Sequence, residues 1–173
     1  MSYYALQVRT RGEEKFMRLF NARYSELGLS LYFPRRSLDI RRKGKSIGKK
    51  LPIFPGYVFL ELPAEEDASR YLWAFRDTGG FYRFLKANRD IRPLENRDLE
   101  LVLHFIKRNG PVAERSNVYF DENSRIVVIS GPLSGLEGSI VKADKRKGRA
   151  KVRLDFYGDS FCIDLGFKAM EKR

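Results

Sequence analysis

The chain is expected to fold as an α+β protein, an antiparallel sheet with packed helices followed by a small β-barrel. Three observations carry this. Strand-like and helix-like periodicities alternate through the first 108 residues. Helical periodicity then stops at Gly110-Pro111. Beyond it, short apolar segments are separated by Gly-rich turns roughly every eight to twelve residues, the spacing of a barrel.

Taken in order, Tyr3–Val8 (YYALQV) mixes aromatic and branched residues and reads as a first strand. In TRGEEKFMRLFNARYSELG, Thr10 stands three residues before Glu13, the spacing of a capping box. Phe16, Leu19, Phe20, Tyr24 and Leu27 share one helical face, and Gly28 suits the left-handed closing position. LSLYFPRRSLDI is strand-like. RRKGKSIGKK, six basic residues in ten with two glycines, reads as a hairpin tip. LPIFPGYVFLEL (51–62) is the expected return strand, with Pro55-Gly56 bending its entrance so that Phe54, Tyr57 and Phe59 converge while Val58 and Leu60 serve the core.

EEDASRYLWAF suits a short helix with acids at its N-terminal end, and GGFYRFLK a turn plus strand. ENRDLELVLHFIKRNGP is the clearest helix, with Asn96 as cap and Leu99, Val102, Leu103 and Ile106 on one face. The polar VAERSN places a connector at residues 109–117, between a first domain of residues 1–108 and a barrel domain of residues 118–173. In the barrel, KADKRKGRAK (142–151) reads as a charged turn around Asp144 and Gly148.

The composition, 43% hydrophobic and 32% charged, is that of a folded protein. Against 22 acidic residues stand 34 basic ones, a net charge of +12 that calls for a polyanionic partner, nucleic acid first. By sequence block, residues 1–108 carry +9 and residues 109–173 carry +3. Cys162 is the single cysteine, read as a small buried hydrophobe, and excludes an internal disulfide or a Cys-based zinc site. His104 sits on a packing helix and reads as structural. No acidic spacing suggests metal ligands or paired carboxylates, and GPLSGLEG lacks the Lys-Ser/Thr and helix of a phosphate loop. No catalytic residue, metal or cofactor is therefore expected. MSYYALQVRTRGEEK has no basic region followed by an apolar core, and no long apolar run follows, so a cytoplasmic, non-membrane protein is expected.

Two features suggest partners. Between Arg35 and Lys50 stand eight Lys or Arg against one acid, Asp39. With Arg35 they are candidate nucleic-acid contacts: Arg36, Arg41 and Arg42 can grip phosphates bidentately or stack on RNA bases, and Lys43, Lys45, Lys49 and Lys50 act as point charges. Tyr3, Tyr4, Phe54, Tyr57 and Phe59 cannot all enter one small core, which leaves an aromatic depression for a protein partner.

YYALQVRTRGEEK, LPIFPGYVFLEL, DTGGFYRFL and VVISGPLSGLEGSIVKADKRKGRAKVRLDFYGD resemble, in order and spacing, the NusG family of bacterial transcription elongation factors over nearly the whole chain. The resemblance implies an NGN domain of ferredoxin-like or RNP-like build and a KOW domain forming an SH3-like barrel. It implies binding to the clamp helices of RNA polymerase β′ through Tyr3, Phe54, Tyr57, Phe59, Leu99 and Leu103. Ser69, Arg70 and Tyr71 line up with the part facing the β gate loop and non-template DNA. The barrel tip, Phe156, Tyr157 and Asp159, would meet a further protein. Asp159 stands where housekeeping members carry arginine, which argues against ordinary coupling to Rho or a ribosomal protein. PRRSLDIRRKGK, DKRKGRAKV and IDLGF are most similar to the specialised LoaP paralogues, for which a nascent RNA hairpin is the expected ligand. The expected role is a monomeric, operon-specific elongation or antitermination factor. The alternatives are a general elongation factor and a ribosome-associated RNA-binding protein.

Overall fold

Alternation of Tyr4, Leu6 and Val8 with Tyr3, Ala5 and Gln7 makes Ser2–Val8 a two-sided strand, β1. Helix α1 (Glu13–Tyr24) buries Phe16, Phe20 and Tyr24 at four-residue spacing. The following turn closes at Gly28, whose N–H donates to Ser25 O at 3.1 Å. Strands β2 (Ser30–Tyr32), β3 (Arg35–Arg42), β4 (Lys45–Pro52) and β5 (Tyr57–Leu62) come next. A 3-10 turn, capped by the Asp67 carboxylate accepting Ser69 N–H at 2.9 Å, leads into α2 (Leu72–Arg76). Then follow β6 (Phe81–Phe84), the small ribbon β7 (Lys86–Ala87) and β8 (Asp90–Ile91), and α3 (Asn96–Leu103), which continues as a wider π-turn to Arg108. Strands follow: β9 (Val112–Ala113), β10 (Ser116–Phe120), β11 (Ile126–Ser130), β12 (Ile140–Asp144), β13 (Arg149–Phe156) and β14 (Asp159–Ala169), with a 3-10 turn (Glu137–Ser139) before β12. This computed structural model describes residues 1–171.

The chain forms two compact units that interleave along the sequence. Met1–Phe33 and Phe54–Leu99 make the first; Pro34–Ile53 and the chain from Glu100 onward make the second.

In the first unit the sheet runs β2-β5-β1-β6, all antiparallel. Tyr4, Leu6 and Val8 of β1 and Val58, Leu60 and Leu62 of β5 share a core with Phe16, Phe20, Ala74, Phe75 and Phe84. Phe20 and Phe75 stack 4.5 Å apart at 9°, the contact that docks α1 against α2. The register pairs Ala5 with Phe59 and Gln7 with Tyr57. Tyr57 and Phe59 therefore lie on the sheet face opposite Val58 and Leu60.

The second unit holds a five-stranded sheet of order β11-β10-β14-β13-β12 and a three-stranded one of order β4-β3-β9. β10 runs parallel to β14, and β9 parallel to β3. Ser116 is buried, and its Oγ accepts Leu133 N–H at 2.9 Å, which anchors the GPLSGLEG turn.

Several local expectations are corrected. No capping box forms at α1. Gly12 precedes the helix without a side-chain cap, and Glu13 is buried with its carboxylate accepting Gly56 N–H at 2.7 Å. Asn96 opens α3 at φ +52, outside the extended backbone of an ordinary cap. The return strand of the basic hairpin is β4, while LPIFPGYVFLEL turns at Pro55-Gly56 and enters the other sheet as β5. VAERSN contributes β9 and the start of β10. Cys162 is exposed, because Ile163 and Leu165 take the inward positions of β14. His104 is buried as a structural residue, its Nε2 2.7 Å from Pro132 O.

Candidate nucleic-acid interface

Lys43 and Gly44, at φ +49 and +75, close β3 onto β4 as a two-residue turn whose twist suits a hairpin. Arg42 pairs with Lys45, Leu38 with Lys49 and Ser37 with Lys50. Arg42, Lys45 and Lys49 thus occupy one face of the ribbon, Arg41 and Lys50 the other. Residues 41–50 are all exposed. The ribbon projects charge on both faces.

The base of the ribbon is anchored. Leu38 is 3% exposed. Arg36 donates from Nε to Asp164 O at 2.6 Å and from a terminal guanidinium nitrogen to Pro52 O. Burial pushes the Arg36 guanidinium down to about 10, against the favourable pull of Asp164 and with a further push from Arg149; it stays charged at neutral pH. Arg149 donates to Asp39 O, and Arg115 pairs with the Asp39 carboxylate. Gly166 of β14 allows the approach, since a Cβ there would lie 3.4 Å from Ser37 O and 3.2 Å from Arg115 Cγ. Arg35, half-buried, donates its N–H to Pro111 O at 3.2 Å. Of the eight expected nucleic-acid residues, Arg35 and Arg36 hold the ribbon in place, and Arg41, Arg42, Lys43, Lys45, Lys49 and Lys50 face solvent.

Where the charge resides changes accordingly. The first unit contains 12 basic and 11 acidic residues, +1; the second contains 22 and 11, +11. Nearly the whole excess belongs to the unit that contains both the ribbon and the barrel. This differs from the expectation, drawn from sequence blocks, that it belongs mainly to the N-terminal domain.

The aromatic face is less exposed than expected. Tyr3, Phe54 and Phe59 are buried at 5%, 1% and 0%, and Tyr57, Leu99 and Leu103 are half-buried. Phe54 meets Phe59 edge-on at 5.3 Å, and the Tyr3 hydroxyl donates to Glu61. At the bend between them, Gly56 takes φ +83; its carbonyl accepts Val8 N–H at 2.8 Å, and a Cβ would lie 3.1 Å from Thr10 Oγ1. Ser69 and Arg70 are exposed, while Tyr71 donates to Glu66 at 2.7 Å, which raises its own pKa. At the barrel tip Phe156 is buried and Asp159 exposed, joined through a turn at Tyr157-Gly158 with φ of +52 and +83.

A family profile described as "Transcription termination factor nusG" matches residues 1–103. The chain belongs to the NusG family. It is 24% identical to the transcription termination/antitermination protein NusG of Thermus thermophilus, with 99% of this chain and 98% of the relative covered. It is 28% identical to the protein of the same name from Bacillus subtilis, with 78% and 73% covered. A solved structure concerned with domain interaction in Thermotoga maritima NusG matches at a TM-score of 0.59 and 20% identity, covering 95% of this chain and 93% of that one. That likeness supports the α+β architecture of an NGN domain followed by a KOW barrel.

Within this NusG fold, the clasp of Asp39 with Arg149 and Arg115 escaped sequence reading, because it joins residues 110 and 76 positions apart. A lone acid inside a basic run was the available signal. Among the described residues, no group of three or more His, Cys, Asp or Glu could hold a metal, and no helix is long and apolar enough to cross a membrane.

Proposed function

We propose that this chain is a non-enzymatic transcription factor that binds elongating RNA polymerase and promotes processive elongation or antitermination. The match of the NusG family profile to residues 1–103 carries this reading. The polymerase-facing surface is assigned to the β1–β5 face, where Tyr57 is half-buried beside Phe59, with Leu99 contributing. A partner that engages Phe54 and Phe59 selects molecules in which those rings are accessible, and its apparent affinity falls with their fraction. Ser69, Arg70 and Tyr71 are assigned to the gate loop and non-template DNA, and the Phe156–Asp159 tip to a protein partner.

The operon-specific, LoaP-like role rests on the exposed basic ribbon, with a nascent RNA hairpin as its ligand. A general elongation role is favoured by the relatives, which carry the name of the general termination/antitermination protein. Affinity pull-down with core polymerase tests the main reading. Tyr57→Ala, a change that leaves the buried rings in place, should reduce capture about tenfold, the effect of losing one interface anchor. Unchanged capture by a folded Tyr57→Ala/Leu99→Ala protein would overturn docking at this face. RNA titration at physiological salt separates the specific role, which requires preference for one structured hairpin over a scrambled strand.

A further inference from the structure

Three residues stand in one row across the sheet of the first unit. The register pairs Tyr57 of β5 with Gln7 of β1, and Gln7 with Arg83 of β6. Directly paired residues share a face, so Arg83 lies on the face that carries Tyr57 and Phe59. Two strand spacings put it about 10 Å from Tyr57. Because β6 is an edge of this sheet, Arg83 stands at the rim of that face. The residue is exposed, yet its Nε donates to Gln7 Oε1 at 2.8 Å. The two terminal guanidinium nitrogens are the donors left for a partner, in the planar fork that matches a carboxylate. Among the described residues, no acid forms an ion pair with Arg83.

The charge pattern of the face narrows the partner. Glu61, four residues from Tyr57 along β5 and on the same face, is half-buried and accepts the Tyr3 hydroxyl. A carboxylate at one corner and a guanidinium at another suit a surface of mixed charge and fix its orientation, whereas a polyanion attracted at one end is repelled at the other. The unit as a whole carries only +1.

We infer that Arg83 is a specificity-determining residue of the docking face, pairing with a carboxylate that the polymerase presents about 10 Å from the group seated on Tyr57. On a helical partner that separation is about two turns, or seven residues. Gln7 is the positioning residue that holds the guanidinium at the rim. This rests on the reading that polymerase docks on the β1–β5 face, and adds the residue that orients it and the acidic chemistry it meets.

Stopped-flow association of the full chain with core polymerase free of nucleic acid, over a salt series, tests it. At low salt Arg83→Gln should slow association about threefold and Arg83→Glu about tenfold, with dissociation little changed, because a rim charge acts on encounter. Near 1 M salt, where screening reaches within about 3 Å, both should converge on the parent. Gln7→Glu leaves Arg83 in place but supplies it with a carboxylate, and should behave as Arg83→Gln does. Arg83→Lys should associate at the parental rate, and Arg89→Gln, an exposed residue of the same unit, should have no effect. Unchanged circular dichroism melts exclude unfolding as the cause. Parental rates for Arg83→Glu and Gln7→Glu, beside weakened capture of Tyr57→Ala/Leu99→Ala, would overturn the role of Arg83 and leave the docking reading intact. Parental behaviour of all of them would remove the docking reading as well. A defect seen only when the polymerase carries DNA and RNA would overturn the carboxylate and assign Arg83 to phosphate. Restoration of Arg83→Glu by changing one polymerase acid to lysine would support the pairing and name its partner; failure of every such change would overturn it.

Discussion

In the first unit, the helices rest on the sheet through rings. Phe20 lies parallel to Phe75 at 4.5 Å, and Phe75 meets Phe84 edge-on at 5.3 Å. In the second unit, the ribbon rests on the barrel through one buried leucine, Leu38, and a set of arginine contacts to Asp164 and Asp39. The difference follows the charge, +1 against +11. A ribbon whose outer half must stay cationic has few apolar positions to spend on anchoring, so its placement depends on guanidinium groups meeting carbonyls. Such contacts are directional and fix register, while ring stacking contributes mainly buried area.

Four measurements test this contrast. Phe75→Ala removes the ring shared by α1, α2 and β6, and denaturant unfolding should show a loss of about 3–5 kcal/mol. Leu38→Ala should cost about 2–3 kcal/mol by the same measurement, since it empties the most buried position of β3 and β4. Asp39→Asn removes an ion pair whose side chains remain nearly half exposed, 45% and 44%, and should cost no more than about 1 kcal/mol, shrinking further as salt rises. If Asp39→Asn instead cost more than Leu38→Ala, the polar contacts would dominate and the two units would differ even more in how they are held. The smallest effect is in pH. The Ser69 backbone N–H, followed by its hydroxyl, holds the Asp67 carboxyl below its ordinary value of 3.8. Because the folded value is the lower one, this contribution is present above that ordinary value and is lost as pH falls through the folded value. Acid melts of Asp67→Ala and parent should therefore converge at the low end of the titration.

Much of the first unit is legible in sequence because its determinants are local. Alternation placed Val58 and Leu60 in the core, and four-residue spacing placed Phe16, Phe20 and Tyr24 on one face. Thr10 and Glu13 also had the local spacing of a capping box, yet the Glu13 carboxylate turned to Gly56, 43 residues away, because that N–H is buried and required an acceptor. The ribbon was harder to read. KSIGKKLP has no apolar alternation to announce a strand, and its pairing is decided by the Lys43-Gly44 turn and by contacts made in the barrel. Tyr3, Phe54 and Phe59 were expected in an exposed aromatic depression and are buried, because fractional burial depends on what else the chain brings near, and no periodicity encodes that. Cys162 followed the general burial preference of cysteine in expectation and the phase of Ile163 in fact.

The placement of the ribbon also has a consequence for synthesis. Arg36 bonds to Asp164, 128 residues further along. At 5–20 residues per second the ribbon leaves the ribosome roughly 6–26 s before its anchoring strand does. An isolated two-stranded hairpin is only marginally stable in water. For that interval the most cationic part of the nascent chain is without its scaffold, close to ribosomal RNA. The second unit is completed only when the last strand arrives, whereas the core strands and helices of the first are available to fold soon after Phe84.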